Sequence, residues 1–215
     1  MSKMFSKVTA TWNPVTGCTH ACSYCWARRL VEQKKMYGPD GFKPQLHRER
    51  LTKKFRPGDF IFVCDMGDLF CDGVDGEWIF AVLEHIREYP KTDFLLLTKN
   101  PAAYCVWDIP DNCILGATIE TNWEVSCSKA RQPSERIFHM AHMDGHRKML
   151  SIEPIMDFDM ISFTDAIRSI RPQFVYIGFD NYHNGLPEPS PSKASELADR
   201  IGEFTSVIRK TWREG

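Results

Sequence analysis

Six short runs rich in apolar and β-branched residues recur along the chain, and stretches of helical periodicity separate them. The runs are "KVTATW" (7–12), "DFIFVC" (59–64), "DFLLLT" (93–98), "CILGATIE" (113–120), "RKMLSIE" (147–153) and "QFVYIGF" (173–179). Most are continuously apolar, as strands buried on both faces must be. In "DGEWIFAVLEHIREY" (75–89), Trp78, Ile79, Val82, Leu83 and Ile86 recur at helical spacing. "NPAAY" (100–104) offers Asn100 as an N-cap with proline at the first helical position. "SFTDAIRSIRP" (162–172) reads as a short helix stopped by Pro172, and 190–212 as a closing amphipathic helix. Such alternation argues for a parallel sheet with right-handed crossovers. An open doubly wound sheet and a partial barrel both fit it.

The chain is 215 residues long, which suits a single domain, read here as 1–215. Its net charge of −1 neither predicts nor excludes a nucleic acid partner. The opening "MSKMFSKVTA" lacks the apolar core of a leader, and no apolar run approaches the ~18–20 residues that span a bilayer. The expectation is a soluble cytoplasmic protein with no membrane partner. Eight cysteines in that reducing setting do not suggest a disulfide framework. The segment 37–58 reads as a long polar loop, and its basic stretch "HRERLTKKFR" (47–56) is either a solvated surface or a polyanion contact.

Three cysteines crowd into "GCTHACSYCWARRL" (17–30). Cys18, Cys22 and Cys25 obey C-x3-C-x2-C, directly after the first strand and before a helical stretch. In α/β folds of this kind, sites are built on loops at the C-terminal ends of strands. Clustered soft thiolates select zinc or an iron–sulfur cluster. A closed zinc site wants four ligands. His20 is the only nearby fourth, and its place between the cysteines would strain the loop. Three thiolates suit a [4Fe–4S] cluster whose fourth iron is left open.

C-x3-C-x2-C with an aromatic, Tyr24, before the last cysteine resembles the signature loop of radical S-adenosylmethionine enzymes. That resemblance implies a partial (β/α)6 barrel of parallel strands. It also implies that Cys18, Cys22 and Cys25 hold a [4Fe–4S] cluster and that S-adenosylmethionine chelates the open iron. One-electron cleavage would then give a 5′-deoxyadenosyl radical that abstracts hydrogen from substrate, with flavodoxin or ferredoxin as the reductant. More narrowly, "TWNPVTGC", "DMGDLF", "LLLTKNP", "GATIETN" and "SIEP" resemble the ordered landmarks of short phage-associated radical S-adenosylmethionine proteins with distant kinship to spore photoproduct lyase. The chain departs from that pattern at "DMGDLF" and at "GFDN" after the sixth strand.

Each remaining strand end carries polar groups. In the resemblance, Gly67 and Asp68, with Asp65 and Met66 beside them, bind the methionyl amine; capping of the next element is the plainer reading of the two aspartates. Thr98 and Lys99 follow the third strand. A lysine leaving a buried strand is costly unless paired, so Lys99 either meets the cofactor carboxylate or snorkels to solvent. Thr118 and Glu120 share a face, with Glu120 suited to the ribose hydroxyls and Asn122 to an N-cap. Arg131, on the following helix, either reaches a carboxylate or lies on the surface. Ser151 and Glu153 share a face too, and Glu153 is a candidate catalytic residue that orients substrate or joins the ribose contacts. Gly178 lets adenine approach the backbone. Asp180, Asn181, Tyr182 and His183 form either a polar cluster facing the mouth or an ordinary turn. Cys71 is either a hydrogen-atom donor to a product radical or a structural thiol, and Cys64 a small buried hydrophobe.

The expected function is a radical S-adenosylmethionine enzyme acting on a nucleic acid base in phage DNA, located in the host cytoplasm if phage-encoded. A free nucleotide is the second substrate class. A non-catalytic iron–sulfur or zinc module that binds nucleic acid is the alternative.

Overall fold

Strand order decides between the two architectures. The computed structural model describes residues 5–213. Residues 1–4, part of the stretch read for a leader, and 214–215 lie outside them. The elements are β1 (Ala10–Trp12), β2 (Val15–Thr16), α1 (Trp26–Lys34), β3 (Gln45–Leu46), β4 (Phe60–Val63), α2 (Gly76–Arg87) and β5 (Asp93–Thr98). After them come β6 (Cys113–Thr118), α3 (Pro133–Ala141), β7 (Arg147–Ile152), α4 (Met160–Ile170), β8 (Phe174–Ile177), α5 (Pro191–Gly202) and β9 (Ser206–Arg209). The main sheet runs β1-β4-β5-β6-β7-β8-β9, and every neighbouring pair is parallel. Order never reverses, so there is no topological switch point and no doubly wound sheet. The sheet curls into a partial (β/α)6-type barrel.

The strands are apolar on both sides because each side has its own core. Ile61, Val63, Phe94, Leu96, Leu115, Leu150, Val175 and Ile177 pack with helix residues such as Val82, Ile86 and Ile167. The alternate residues Phe62, Leu95, Ile114, Met149, Phe174 and Tyr176 face the concave side, where Phe5 and Val8 join them. The Phe5 ring lies 5.3 Å from Phe62 and 4.5 Å from Tyr176 between centroids. The Lys7 amide donates to the Tyr176 hydroxyl at 3.0 Å. A segment ahead of β1 thus fills the inside of the half-barrel, where no helix packs.

The helices begin where local chemistry dictates. Asp75 accepts from Glu77 N, Asp159 from Ser162 N, and Ser190 from Lys193 N. Lys148, buried in β7, donates to the Met140 and Met143 carbonyls at 3.0 and 2.8 Å, satisfying the end of α3.

Four expectations change. The last helix stops at Gly202, and the β-branched run from Thr205 to Ile208 enters a seventh strand rather than continuing to 212. Pro101–Val106 is a 3-10 turn without a side-chain cap from Asn100, which instead donates to the Phe70 carbonyl. The segment 37–58 is partly structured, because β3 pairs antiparallel with β2. Asn122 caps no helix: α3 starts only at Pro133, and Asn122 bonds Ser162 Oγ at 2.7 Å. Among the described residues, no helix is long and apolar enough to cross a membrane.

Candidate functional site

The cysteine loop is fastened over the C-terminal strand ends. Gly17 N donates to Met66 O at 3.0 Å, and Asp68 N to Gly17 O at 3.3 Å. Here the two backbone segments nearly touch. A Cβ on Gly67 would sit 2.6 Å from Gly17 O, and one on Gly17 would sit 2.1 Å from Lys43 O. Only glycine permits either approach. On the other flank Ser23 N donates to Cys127 O and Lys129 N to His20 O. Cys22 Sγ is 3.2 Å from Ser128 Oγ, and Cys25 caps α1 by accepting from Arg28 N. Cys18 opens on a cavity of about 320 Å³ that Arg28 and Lys43 also line. Cys71 is buried against Cys18: their mutual hydrogen bond, with burial and the nearby Asp68 charge, pushes the Cys18 thiol up, and the same bond holds Cys71 below the usual thiol range.

Asp68 is the fastener. Its buried carboxylate accepts from His20 Nε2 (2.8 Å), Thr98 Oγ1 (2.8 and 2.9 Å), Lys99 N (2.9 Å) and Phe70 N (3.0 Å). Burial alone would raise its pKa, but the His20, Lys99 and Thr98 hydrogen bonds outweigh it and hold the group below the ordinary range. Its oxygens are thus engaged within the protein, and so is His20 Nε2. Asp65 is clamped by Asn13 Nδ2 at 2.5 Å and raised by burial, and Met66 N donates to Asn13 Oδ1.

A second buried carboxylate sits beyond β6. Glu120 has no exposed surface. Its Oε1 accepts from the Tyr24 hydroxyl and from Lys99 Nζ, and Oε2 accepts from Arg136 Nη1 at 2.7 Å. Burial would raise its pKa, but the Lys99 and Arg136 charges bring it down to about 2. Burial and the Glu120 charge push the Tyr24 phenol well above its usual value. Lys99 therefore does not snorkel; it joins Tyr24 of the cysteine loop to Glu120. Arg136 is the residue that sequence reasoning missed. It shares the buried face of α3 with Pro133 and Met140, and an arginine at those apolar positions was the available signal. Arg131, in contrast, precedes α3 and turns outward to Asn100 Oδ1 and Glu135 Oε2.

The remaining strand ends continue the rim. Thr118 and Ser151 are buried register partners on β6 and β7. Glu153 Oε2 accepts from Lys210 Nζ at 2.5 Å, while Oε1 is buried without a partner; burial raises the group despite Lys210. A Cβ on Gly178 would lie 3.4 Å from Glu153 Oε1. Lys210 comes from the end of the unforeseen β9. Asp180 is spent on its own turn, accepting from Tyr182 N at 3.0 Å and Asn184 Nδ2 at 2.7 Å. The basic stretch leaves the site. Arg50 Nη1 reaches Asn13 O near the top of β1, whereas Arg56 O accepts from Thr92 Oγ1 beside the N-terminal end of β5. Between them Phe55 is buried in the outer core.

Among the described residues, no three His, Cys, Asp or Glu side chains converge as they would around one ion. An iron–sulfur cluster asks less of its ligands, since each thiolate takes its own iron. Three free thiols on one fastened loop, one of them opening on a cavity, fit such a group.

A family model described as "Protein of unknown function (DUF5131)" matches residues 4–170. No curated protein matches the sequence. A spore photoproduct lyase mutant with bound AdoMet and dinucleoside spore photoproduct superposes with a TM-score of 0.57 at 9% identity, covering 90% of this chain and 61% of that one. A second lyase mutant, with dinucleoside spore photoproduct, gives 0.56 at 11% identity, covering 89% and 60%. Streptococcus suis SuiB bound to S-adenosylmethionine gives 0.55 at 9% identity, covering 94% and 50%. The chain thus spans about three fifths of the lyase's length and half of SuiB's. At such identities the likeness establishes a shared fold, the partial barrel of parallel strands.

Proposed function

Within the DUF5131 family, to which this chain belongs, we propose that the protein is a radical S-adenosylmethionine enzyme acting on a nucleobase carried in DNA. One observation carries this reading. The three-cysteine loop is locked over the strand ends of a half-barrel by two buried carboxylates, Asp68 through His20 and Glu120 through Tyr24. Nothing in a plain structural loop calls for that expense of buried charge. Cys18, Cys22 and Cys25 would hold a [4Fe–4S] cluster. With S-adenosylmethionine bound, that cluster would supply one-electron cleavage of the sulfonium and, through it, hydrogen abstraction from the substrate.

The chain's own residues frame the cofactor. The backbone of Asp65–Asp68 faces the cysteine loop and is suited to the methionyl amine. Thr98, Lys99, Thr118, Glu120 and Ser151 line the next three strand ends, with Gly178 leaving room beyond β8. In this arrangement Lys99 and Glu120 act as a fixed pair that sets the position of Tyr24. The ligands of the solved lyase neighbours support a nucleobase as the substrate, and the unpartnered buried Oε1 of Glu153 supports a role for that residue in accepting from it. Cys71 remains the candidate hydrogen donor, on the cluster side of the site. A flavodoxin or ferredoxin is the suited reductant.

Anaerobic reconstitution with iron and sulfide, followed by dithionite and S-adenosylmethionine, tests the reading. It should give a brown protein and 5′-deoxyadenosine. A colourless protein, or an iron-loaded one that never cleaves the cofactor, would refute it.

A further inference from the structure

We propose that Trp123 and Tyr182 are base-stacking platforms of a surface that binds single-stranded DNA across the barrel mouth. The large exposed aromatics among the described residues are Phe80, Trp123, Phe138 and Tyr182. Phe80 and Phe138 lie on the outer helices α2 and α3. Trp123 and Tyr182 stand apart. They follow β6 and β8, each five residues past the strand's last residue (118 to 123, 177 to 182), at the end of the sheet where the cysteine loop sits.

Both rings are about half exposed, 48% and 49%, and each has a cation near it. Arg29 lies 5.0 Å from the Tyr182 centroid, and Lys193 lies 5.7 Å from that of Trp123. Both rings stand on pinned turns. Asp180 holds the amides of Tyr182 and Asn184, and Arg29 Nη2 donates to Asn184 Oδ1 at 2.5 Å. Thr121 Oγ1 accepts from Trp123 N at 3.1 Å, and the neighbouring Asn122 is tied to Asp159 and Ser162. A ring fixed in place, with a cation on one side, loses little freedom when a base stacks on it.

The two loops flank β7, the strand that Glu153 directly follows. Strands β6 and β8 are two spacings apart, roughly 10 Å. A base delivered over β7 would have its neighbours on either side within reach of the two rings. Stacking accepts any base, and Arg29 beside Tyr182 suits a phosphate, whereas Lys193 is held by Asp157 Oδ1 and the Phe158 carbonyl. A cage for a methylated ammonium would need several rings around one point; these rings stand on separate loops. Duplex DNA would first have to give up a base, so single strands should bind better. The proposal takes its choice of polymer from the function proposed above, but its readout is binding rather than cleavage.

The test is fluorescence anisotropy at low salt with a short labelled oligothymidylate, its duplex form and an oligouridylate competitor. The single strand should bind more tightly than the duplex. Tyr182→Ala and Trp123→Ala should each weaken it about 5- to 150-fold, and Tyr182→Phe should bind as the unmodified protein does. Both side chains are surface groups, so thermal melting should hardly change. Absence of binding, equal affinity in the double alanine variant, or preference for the RNA competitor would overturn the proposal. If binding follows the rings but 5′-deoxyadenosine never forms, the proposed chemistry fails while the surface stands.

Discussion

Arg136 and Glu120 meet at 2.7 Å with neither side chain exposed to solvent. Removing one partner from such a pair strands the other's charge, which typically costs about 3–5 kcal/mol. Arg136→Met should therefore destabilise the fold by that order. Arg136→Met combined with Glu120→Gln should cost clearly less than the sum of the two single changes, because the pair acts as a unit. Urea unfolding of the four proteins measures it; strict additivity would show that the two side chains are not coupled.

Glu120 also predicts a pH dependence. Its folded pKa, about 2, lies below its ordinary value of 4.5. A depressed carboxylate stabilises the fold fully above the unfolded value, and that stability is lost as pH falls through the folded one. Stability should thus decline between about pH 4.5 and 2, and Glu120→Gln should flatten that decline. Denaturant midpoints taken across the window decide it.

Cys18, Cys22 and Cys25 should be individually indispensable to iron binding, and Cys105 and Cys127 dispensable. Iron and sulfide content after reconstitution, with absorption in the visible, reads this out. Full iron occupancy in a Cys22→Ala protein would dismiss the ligand assignment.

His20 is expected to matter to cluster retention rather than to cofactor binding. His20→Ala removes a hydrogen bond to a buried carboxylate, worth about 1.5–3 kcal/mol. The loop should loosen, and a chelator should strip iron faster from this variant. His20→Asn, which keeps a donor on a shorter arm, should recover part of the difference. Iron release at an unchanged rate in both variants would remove the Asp68–His20 strut from the account.

Most of the barrel was legible because the central strands are continuous apolar runs between helical periods, and the cysteine spacing marked the strand end that carries the candidate site. The edge strand escaped. Residues 203–212 extend an amphipathic helical pattern, and only their pairing with β8 makes Ser206–Arg209 a strand. Lys210 is consequently delivered to Glu153 by an element that sequence periodicity hides. Arg136 escaped for a different reason. Its partner is 16 positions away, and local spacing records which face a helix buries but not which charge waits there. The same holds for Asp68 and Lys99. Their types suggested ligands, whereas their partners, His20, Thr98, Tyr24 and Glu120, are set by how the strand ends converge.

The concave core joins Ser6 to Tyr176 across 170 positions, and Phe5 is seated in the same place. Translation delivers these residues in one direction only. At ribosomal speeds of ~5–20 residues per second, Phe5 waits roughly 10–30 s for the strand that covers it. During that interval its ring has Phe62 but not Tyr176 beside it, and the inner faces of β4 to β7 are not yet closed by β8. The growing chain therefore carries an open apolar trough until β8 emerges, because its closure is long-range. The inside of the half-barrel cannot become dry before β8 has been made.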